Sequence, residues 1–249
     1  MSDIPLIYCN GDSYSNENYH PTLNGKAYAN VVSEYFNGFL INNSINGSCN
    51  RRIIRTSVHD LVQQRQLNPD QRIIALIGLS FELRSELWVD TAITKLEQES
   101  NFQTHTFADK EGWRDLLLAG KNMLDKGNKF LDSYNQGRAY YYSPYAERAN
   151  LLCDCVMFQA LMKDLNIEFL MFQSPRAEQL ENEYLVDFFK SQLDNDCFID
   201  FESFGFVTWC HEQGFVPLDF LDRPYIGHPT AQGHRAFAEQ IVIPYFKKS

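Results

Sequence analysis

Two short blocks, far apart in the chain, carry residue types that act as nucleophile and base. Ser13 stands in Cys9-Asn10-Gly11-Asp12-Ser13-Tyr14-Ser15-Asn16, just after the apolar run Ile4–Tyr8. A strand ending in Gly-Asp-Ser delivers a hydroxyl at the carboxyl edge of a sheet, where open α/β folds place their ligands. The second block is Gly227-His228-Pro229-Thr230-Ala231-Gln232-Gly233-His234, before a closing helical stretch. An imidazole that reaches the serine would act as its general base and yield an activated alcohol. Taken singly, each block has a plainer meaning. Turns use Gly-Asp-Ser for backbone reasons, and a histidine before a helix is commonly a satisfied structural residue.

Other chemistries find less support. His228 and His234 are six apart, so on a helix they do not share a face, and His211 simply follows Cys210. The six cysteines form no Cys-x-x-Cys pair and no regular Cys/His spacing, so a structural zinc is not expected and the thiols read as reduced and mostly buried. Glu82 and Glu86 with Arg84 read as a surface ion-pair cluster, leaving paired-carboxylate glycosidase chemistry without a sharp signal. Arg51-Arg52-Ile53-Ile54-Arg55 reads as a solvated basic face.

The elements around these blocks alternate between strand and helix. The strands are expected at Ile4–Cys9, Phe39–Asn43, Arg72–Gly78, Ile167–Phe172 and, as a short fifth, Cys197–Asp200. Helices are expected at Gly25–Phe36, with Ala27, Val31, Val32 and Tyr35 on one face, and from a Ser48 cap to about Gln66. Further helices are expected at Glu86–Ser100, Asp115–Asn135, Ala146–Leu165, Arg176–Leu193 and, capped by Thr230, through Tyr245. The continuous apolar run Ile73–Ile77 marks a strand covered on both faces, as parallel sheets require. The pattern implies a single three-layer α/β/α, flavodoxin-like domain over residues 1–249, with a five-stranded, mostly parallel sheet. The irregular segment 101–145, which ends in Tyr140-Tyr141-Tyr142-Ser143-Pro144-Tyr145, reads as an insertion or lid.

Composition narrows the classes. A chain of 249 residues with 44% hydrophobic and 22% charged residues is long enough for one large core. Its 32 acidic residues against 22 basic ones give a net charge of −10, which argues against a nucleic-acid partner. No apolar run reaches the roughly 18 residues of a membrane span and no signal peptide is visible, so the expected setting is the cytoplasm.

Taken together, these blocks resemble the GDSL-type SGNH hydrolases. That family carries a Gly-Asp-Ser block after the first strand and a glycine after the second. An asparagine follows the third strand, and a histidine precedes the last helix. Here the matches are Gly11-Asp12-Ser13, Asn43-Ser44-Ile45-Asn46-Gly47-Ser48, and His228-Pro229 with Gly233-His234, in the same order over nearly the full length. The resemblance implies that Ser13 attacks an acyl carbonyl, that His228 relays the proton, and that the backbone N–H groups of Ser13 and Gly47 hold the oxyanion.

Two positions depart from the family. The third block reads Gly78-Leu79-Ser80-Phe81-Glu82, so Ser80 stands where the amide donor is expected, with Asn46 or Asn50 as the alternative donor. The position three before the histidine is Tyr225, and the nearest upstream acid is Asp222, which either completes a triad or leaves a Ser–His dyad. The stretches Ser44–Arg55 and Ile77–Arg84 are similar to SGNH-type proteins found among bacteriophages, for which a virion location would follow. The resemblance implies an ester hydrolase without metal or organic cofactor, acting on a small acyl group such as acetyl on a sugar or glycan. Two rival readings go with it: a binding or structural module that kept the fold and lost the machinery, and an acyltransferase to a sugar hydroxyl.

Overall fold

In a computed structural model of the chain, the described residues are 4–19, 23–24, 26–82, 84–88, 113–116, 143–177, 184–199, 202–215 and 227–247. They form an α/β domain around a parallel sheet. The strands of that sheet are β1 (Leu6–Asn10), β2 (Phe39–Asn42), β3 (Ile73–Leu79) and, after a separate two-stranded ladder, β6 (Glu168–Gln173). Their order is β2-β1-β3-β6, every pair parallel. This is the doubly wound order, in which the chain leaves β1 in one direction for β2 and then crosses to the other side for β3.

Alternation along the strands builds a core on each face of the sheet. Leu6, Tyr8, Ile73, Ala75, Ile77, Phe169 and Met171 face helices α2 (Asn50–Leu67), α3 (Pro144–Asp164) and α4 (Tyr184–Gln192). Ile7, Cys9, Ile74, Leu76, Leu170 and Phe172 face α1 (Tyr28–Phe36), α5 (Phe206–Glu212) and the closing helix. All seven residues of β3 are buried, because β3 is central and covered twice. β2 is an edge strand, and its Phe39 is 63% exposed.

The helix ends explain how each element enters the sheet. Ser143 caps α3 by accepting from the Ala146 N–H at 3.3 Å, with Pro144 in the first turn, where its missing N–H costs nothing. Thr230 caps the closing helix by accepting from the Gly233 N–H at 3.2 Å. That helix runs as α6 (Ala231–Phe237), a π turn (Ala238–Val242) and α7 (Ile243–Lys247). Pro244 lies just past the π turn and cannot donate to the preceding turn, which gives a physical reason for the widened register.

Several expectations are corrected. The fifth strand is a single parallel bridge, Met171 with Phe198, held by Met171 N–H to the Cys197 carbonyl and Ile199 N–H to the Met171 carbonyl, each 2.9 Å. Residues 86–88 and 115–116, expected to be helical, belong to strands β4 (Ser85–Trp88) and β5 (Trp113–Leu116), which pair antiparallel. Apart from β5 and residues 143–145, the expected lid at 101–145 lies outside the described residues. Arg176 and Ala177 are not helical, and α4 begins at Tyr184. The cap of α2 is Cys49, whose sulfur accepts from the Arg52 N–H at 3.5 Å, and not Ser48. Tyr35 is 49% exposed, while Tyr28 and Ala29 take the inner face of α1. Arg52 is buried and donates to the Ser48 hydroxyl at 3.1 Å, so the Arg51–Arg55 face is not wholly solvated.

Candidate active site

β1 and β3 are adjacent strands, and the segments that leave their carboxyl ends form the site. The turn after β1 is fixed by its own side chains. Asp12 is fully buried, and one of its carboxylate oxygens accepts from the Tyr14 N–H at 3.0 Å, while its carbonyl accepts from the Ser15 N–H at 3.0 Å. Glycine is required beneath this turn. A Cβ on Gly11 would lie 2.3 Å from the Ser15 hydroxyl oxygen and 2.9 Å from the Gly78 carbonyl oxygen. Ser15 is buried and accepts from the Tyr28 hydroxyl at 2.7 Å, so of the two serines it is the structural one. Asn10 ties the end of β1 to α2 through its amide group, 2.8 Å from the Thr56 hydroxyl and 2.9 Å from that of Ser57.

This turn presents Ser13 to His228. The Ser13 Oγ and His228 Nε2 are 2.8 Å apart, across 215 positions of sequence. Ser13 is 8% exposed, and His228 is half-buried. The imidazole is stacked against the rings of Tyr14, at 4.6 Å between centroids and 26° between planes, and Tyr19, at 3.6 Å and 20°. For Nε2 to accept the Ser13 proton, the neutral ring must carry its own proton on Nδ1. Asp222, the sequence-based candidate for holding that proton, lies outside the described residues.

The other candidate residues sit around the same turn with differing commitments. Gly47 has φ +81°, a left-handed conformation that glycine adopts without strain. Its loop is tied to the nucleophile turn by the Ile45 N–H, which donates to the Gly11 carbonyl at 3.2 Å, and by the Asn16 amide, which donates to the Asn46 Oδ1 at 2.9 Å. Asn50 is clamped to the backbone of Ser80. Its Oδ1 accepts from the Ser80 N–H at 2.6 Å, and its amide donates to the Ser80 carbonyl at 3.1 Å. The Ser80 hydroxyl donates to the second oxygen of Asp12 at 2.6 Å, so its proton is directed beneath the turn and not toward Ser13.

Sequence reasoning missed Arg84. It was expected in a surface cluster with Glu82 and Glu86, yet its side chain is 14% exposed and reaches the buried carboxylate of Asp12 at 2.7 Å. The same nitrogen approaches the Ser80 hydroxyl at 2.6 Å and the Ser48 carbonyl at 3.2 Å. Asp12, Ser80 and Arg84 thus form one charge-assisted network under the turn that carries Ser13. The available signal was Asp12 itself: a carboxylate placed straight after a buried strand needs a cation. Glu82 instead pairs with the buried Arg148, which also reaches Glu202 at 3.3 Å.

His234 was also missed as a structural residue. Its Nδ1 accepts the Tyr28 N–H at 3.2 Å, capping the first turn of α1 from another helix. Burial, and secondarily the nearby His228, lowers its pKa to about 3, so the ring stays neutral. Among the described residues no group of three or more His, Cys, Asp or Glu side chains could hold a metal ion. No helix among them is long and apolar enough to cross a membrane.

No protein-family model matches the chain, and no curated protein does either. Solved structures similar to it are esterases and lipase-like hydrolases. An esterase from Pseudoalteromonas sp., solved with monoethylphosphonate as inhibitor, is 10% identical, with 98% of this chain and 97% of that one covered at a TM-score of 0.45. A catalytic mutant of an acetylxylan esterase from Geobacillus stearothermophilus is 14% identical, with 97% and 94% covered at a TM-score of 0.40. A protein from Parabacteroides merdae named as a GDSL-like lipase is 12% identical, with 94% and 92% covered at 0.36.

Proposed function

We propose that the chain is a serine ester hydrolase working through an acyl-enzyme on Ser13. The observation that carries this reading is the 2.8 Å approach of the Ser13 Oγ to the His228 Nε2 at the carboxyl end of β1. In the first step the Ser13 Oγ bonds to the acyl carbon while its proton passes to Nε2. The C–O bond to the alcohol then breaks, and the imidazolium returns the proton to the leaving oxygen. In the second step water adds to the acyl carbon, gives its proton to Nε2, and Ser13 is released with its own proton restored.

Charge on the carbonyl oxygen would be met by the backbone N–H groups of Ser13 and Gly47, each donor being worth about 3–4 kcal/mol of transition-state stabilisation. Ser80 and Asn50 are supports in this reading, because their polar groups are engaged with Asp12, Arg84 and each other. Asp222 is proposed to hold the His228 proton on Nδ1. The proposed substrate is a small acyl ester, acetyl-like, on a sugar or glycan. Its support is the resemblance to the GDSL-type hydrolases together with the aromatic richness of the middle of the sequence, as in Tyr140–Tyr145.

The test pairs p-nitrophenyl acetate turnover with labelling by an organophosphonate. Ser13→Ala is expected to abolish labelling, and Ser13→Ala or His228→Ala to lower turnover by at least about a thousandfold. A folded wild-type chain that neither turns over nor labels would instead be the inert module. Release of acetate from acetylated xylo-oligosaccharides, at rates above those for long-chain acyl esters, is the expected outcome for the substrate class.

A further inference from the structure

The histidine of a serine hydrolase must stay in line with its serine and must carry a positive charge for part of each turnover. Here the ring is gripped by aromatic faces. Tyr19 stacks on the imidazole at 3.6 Å between centroids and 20° between planes, and Tyr14 at 4.6 Å and 26°. Both tyrosines belong to the segment that follows β1, so nucleophile and stacking partners come from one stretch of chain. Tyr14 is 3% exposed, its N–H is held by Asp12 at 3.0 Å, and its ring leans on Phe81 beyond β3 at 6.3 Å.

We propose that Tyr19, together with Tyr14, is a positioning residue that holds the His228 imidazole toward Ser13 and stabilises it once protonated. This inference rests on the hydrolase reading above. Two physical effects support it. A flat ring pressed against the imidazole blocks rotation that would swing Nε2 away from the Ser13 hydroxyl. The electron-rich faces of tyrosine also attract a cation set above them.

Among the described residues, the titratable groups placed against the imidazole include the Tyr14 and Tyr19 phenols with the Ser13 hydroxyl from the turn after β1, and the neutral His234 from the closing helix. Tyr19 is half-buried, so its replacement leaves the core intact. Tyr19→Leu keeps comparable bulk without a π face, and Tyr19→Phe keeps the face without the hydroxyl.

The experiment measures p-nitrophenyl acetate kinetics and the NMR titration of the His228 ring in wild type, Tyr19→Leu and Tyr19→Phe. The expected result for Tyr19→Leu is a kcat lowered about fivefold with KM within about twofold, and a His228 titration midpoint lowered by about half a pH unit. Tyr19→Phe should restore both. A Tyr19→Leu chain with wild-type kcat and midpoint would overturn the proposal, as would a Tyr19→Phe chain that loses as much as Tyr19→Leu. The titration needs no turnover, so it judges the ring contact even if phosphonate fails to label the wild type, an outcome that would sink the hydrolase reading by itself.

Discussion

Asp12, not Ser13, is the residue on which the site's geometry converges. Its two carboxylate oxygens divide the work: one receives the Tyr14 N–H, the other receives Ser80 and Arg84. A buried ion pair broken on one side leaves an uncompensated charge, which costs about 3–5 kcal/mol. Arg84→Met should therefore lower unfolding stability by about 3 kcal/mol, read from urea denaturation, and should lower kcat by loosening the turn. Ser80→Ala separates two roles. Removal of an oxyanion donor costs about a hundredfold or more in kcat, whereas loss of a brace that Arg84 still backs should cost less than about tenfold, because the Asp12 carboxylate keeps its cation. Steady-state kinetics on Ser80→Ala, with the fold checked by circular dichroism, decides between them.

At the scale of elements, the closing helix does more than end the domain. Through His234 it caps α1, and the cap requires a neutral ring. Its folded pKa of about 3 lies below the roughly 6.5 of an unfolded histidine. Below pH 6.5 the unfolded chain takes up a proton that the folded chain refuses, so stability present above that pH drains away as the pH falls toward 3. The loss is at most about 1.4 kcal/mol per pH unit. His234→Asn, which offers Oδ1 in place of Nδ1, should be less stable than wild type at pH 7 yet lose less between pH 7 and pH 5, as read by urea midpoints.

Elements fixed by local pattern were legible in the sequence: the fully apolar β3, the Thr230 cap, and the end of α2 near Gln66. Elements fixed by distant partners were not. The strand Ser85–Trp88 exists because Trp113–Leu116 pairs with it, and nothing within Ser85–Trp88 itself announces a partner more than twenty residues away. A short run at Cys197–Asp200 reads the same whether it makes a ladder or the single bridge that Phe198 makes with Met171. In the site, Ser13 and His228 were legible from their blocks. Arg84 was not, because charge spacing suggests neighbours on a helix, and here Arg84 is not helical and reaches back to Asp12 in the turn after β1.

At the scale of the whole molecule, the two cores on either side of the sheet put most of the thiols out of reach of solvent. The six cysteines report this directly. Cys9, Cys49, Cys155, Cys197 and Cys210 are buried, and Cys153 alone is half-exposed on α3; all six are free thiols. Burial pushes Cys9 and Cys197 up to about 12, which suppresses the thiolate that reagents attack. Ellman's reagent should therefore titrate one thiol quickly in the native protein and six in denaturant. The five slow thiols should react at one shared rate if the sheet and both flanking layers open together.

The 215 positions between Ser13 and His228 have a consequence for biosynthesis. A ribosome completes β1, β2, β3 and β6 before the codon for His228 is read. Throughout that interval the growing polypeptide bears a serine with no imidazole beside it. Under the proposed mechanism, an intermediate released early by a stalled ribosome would be chemically silent toward esters, however well its sheet had formed.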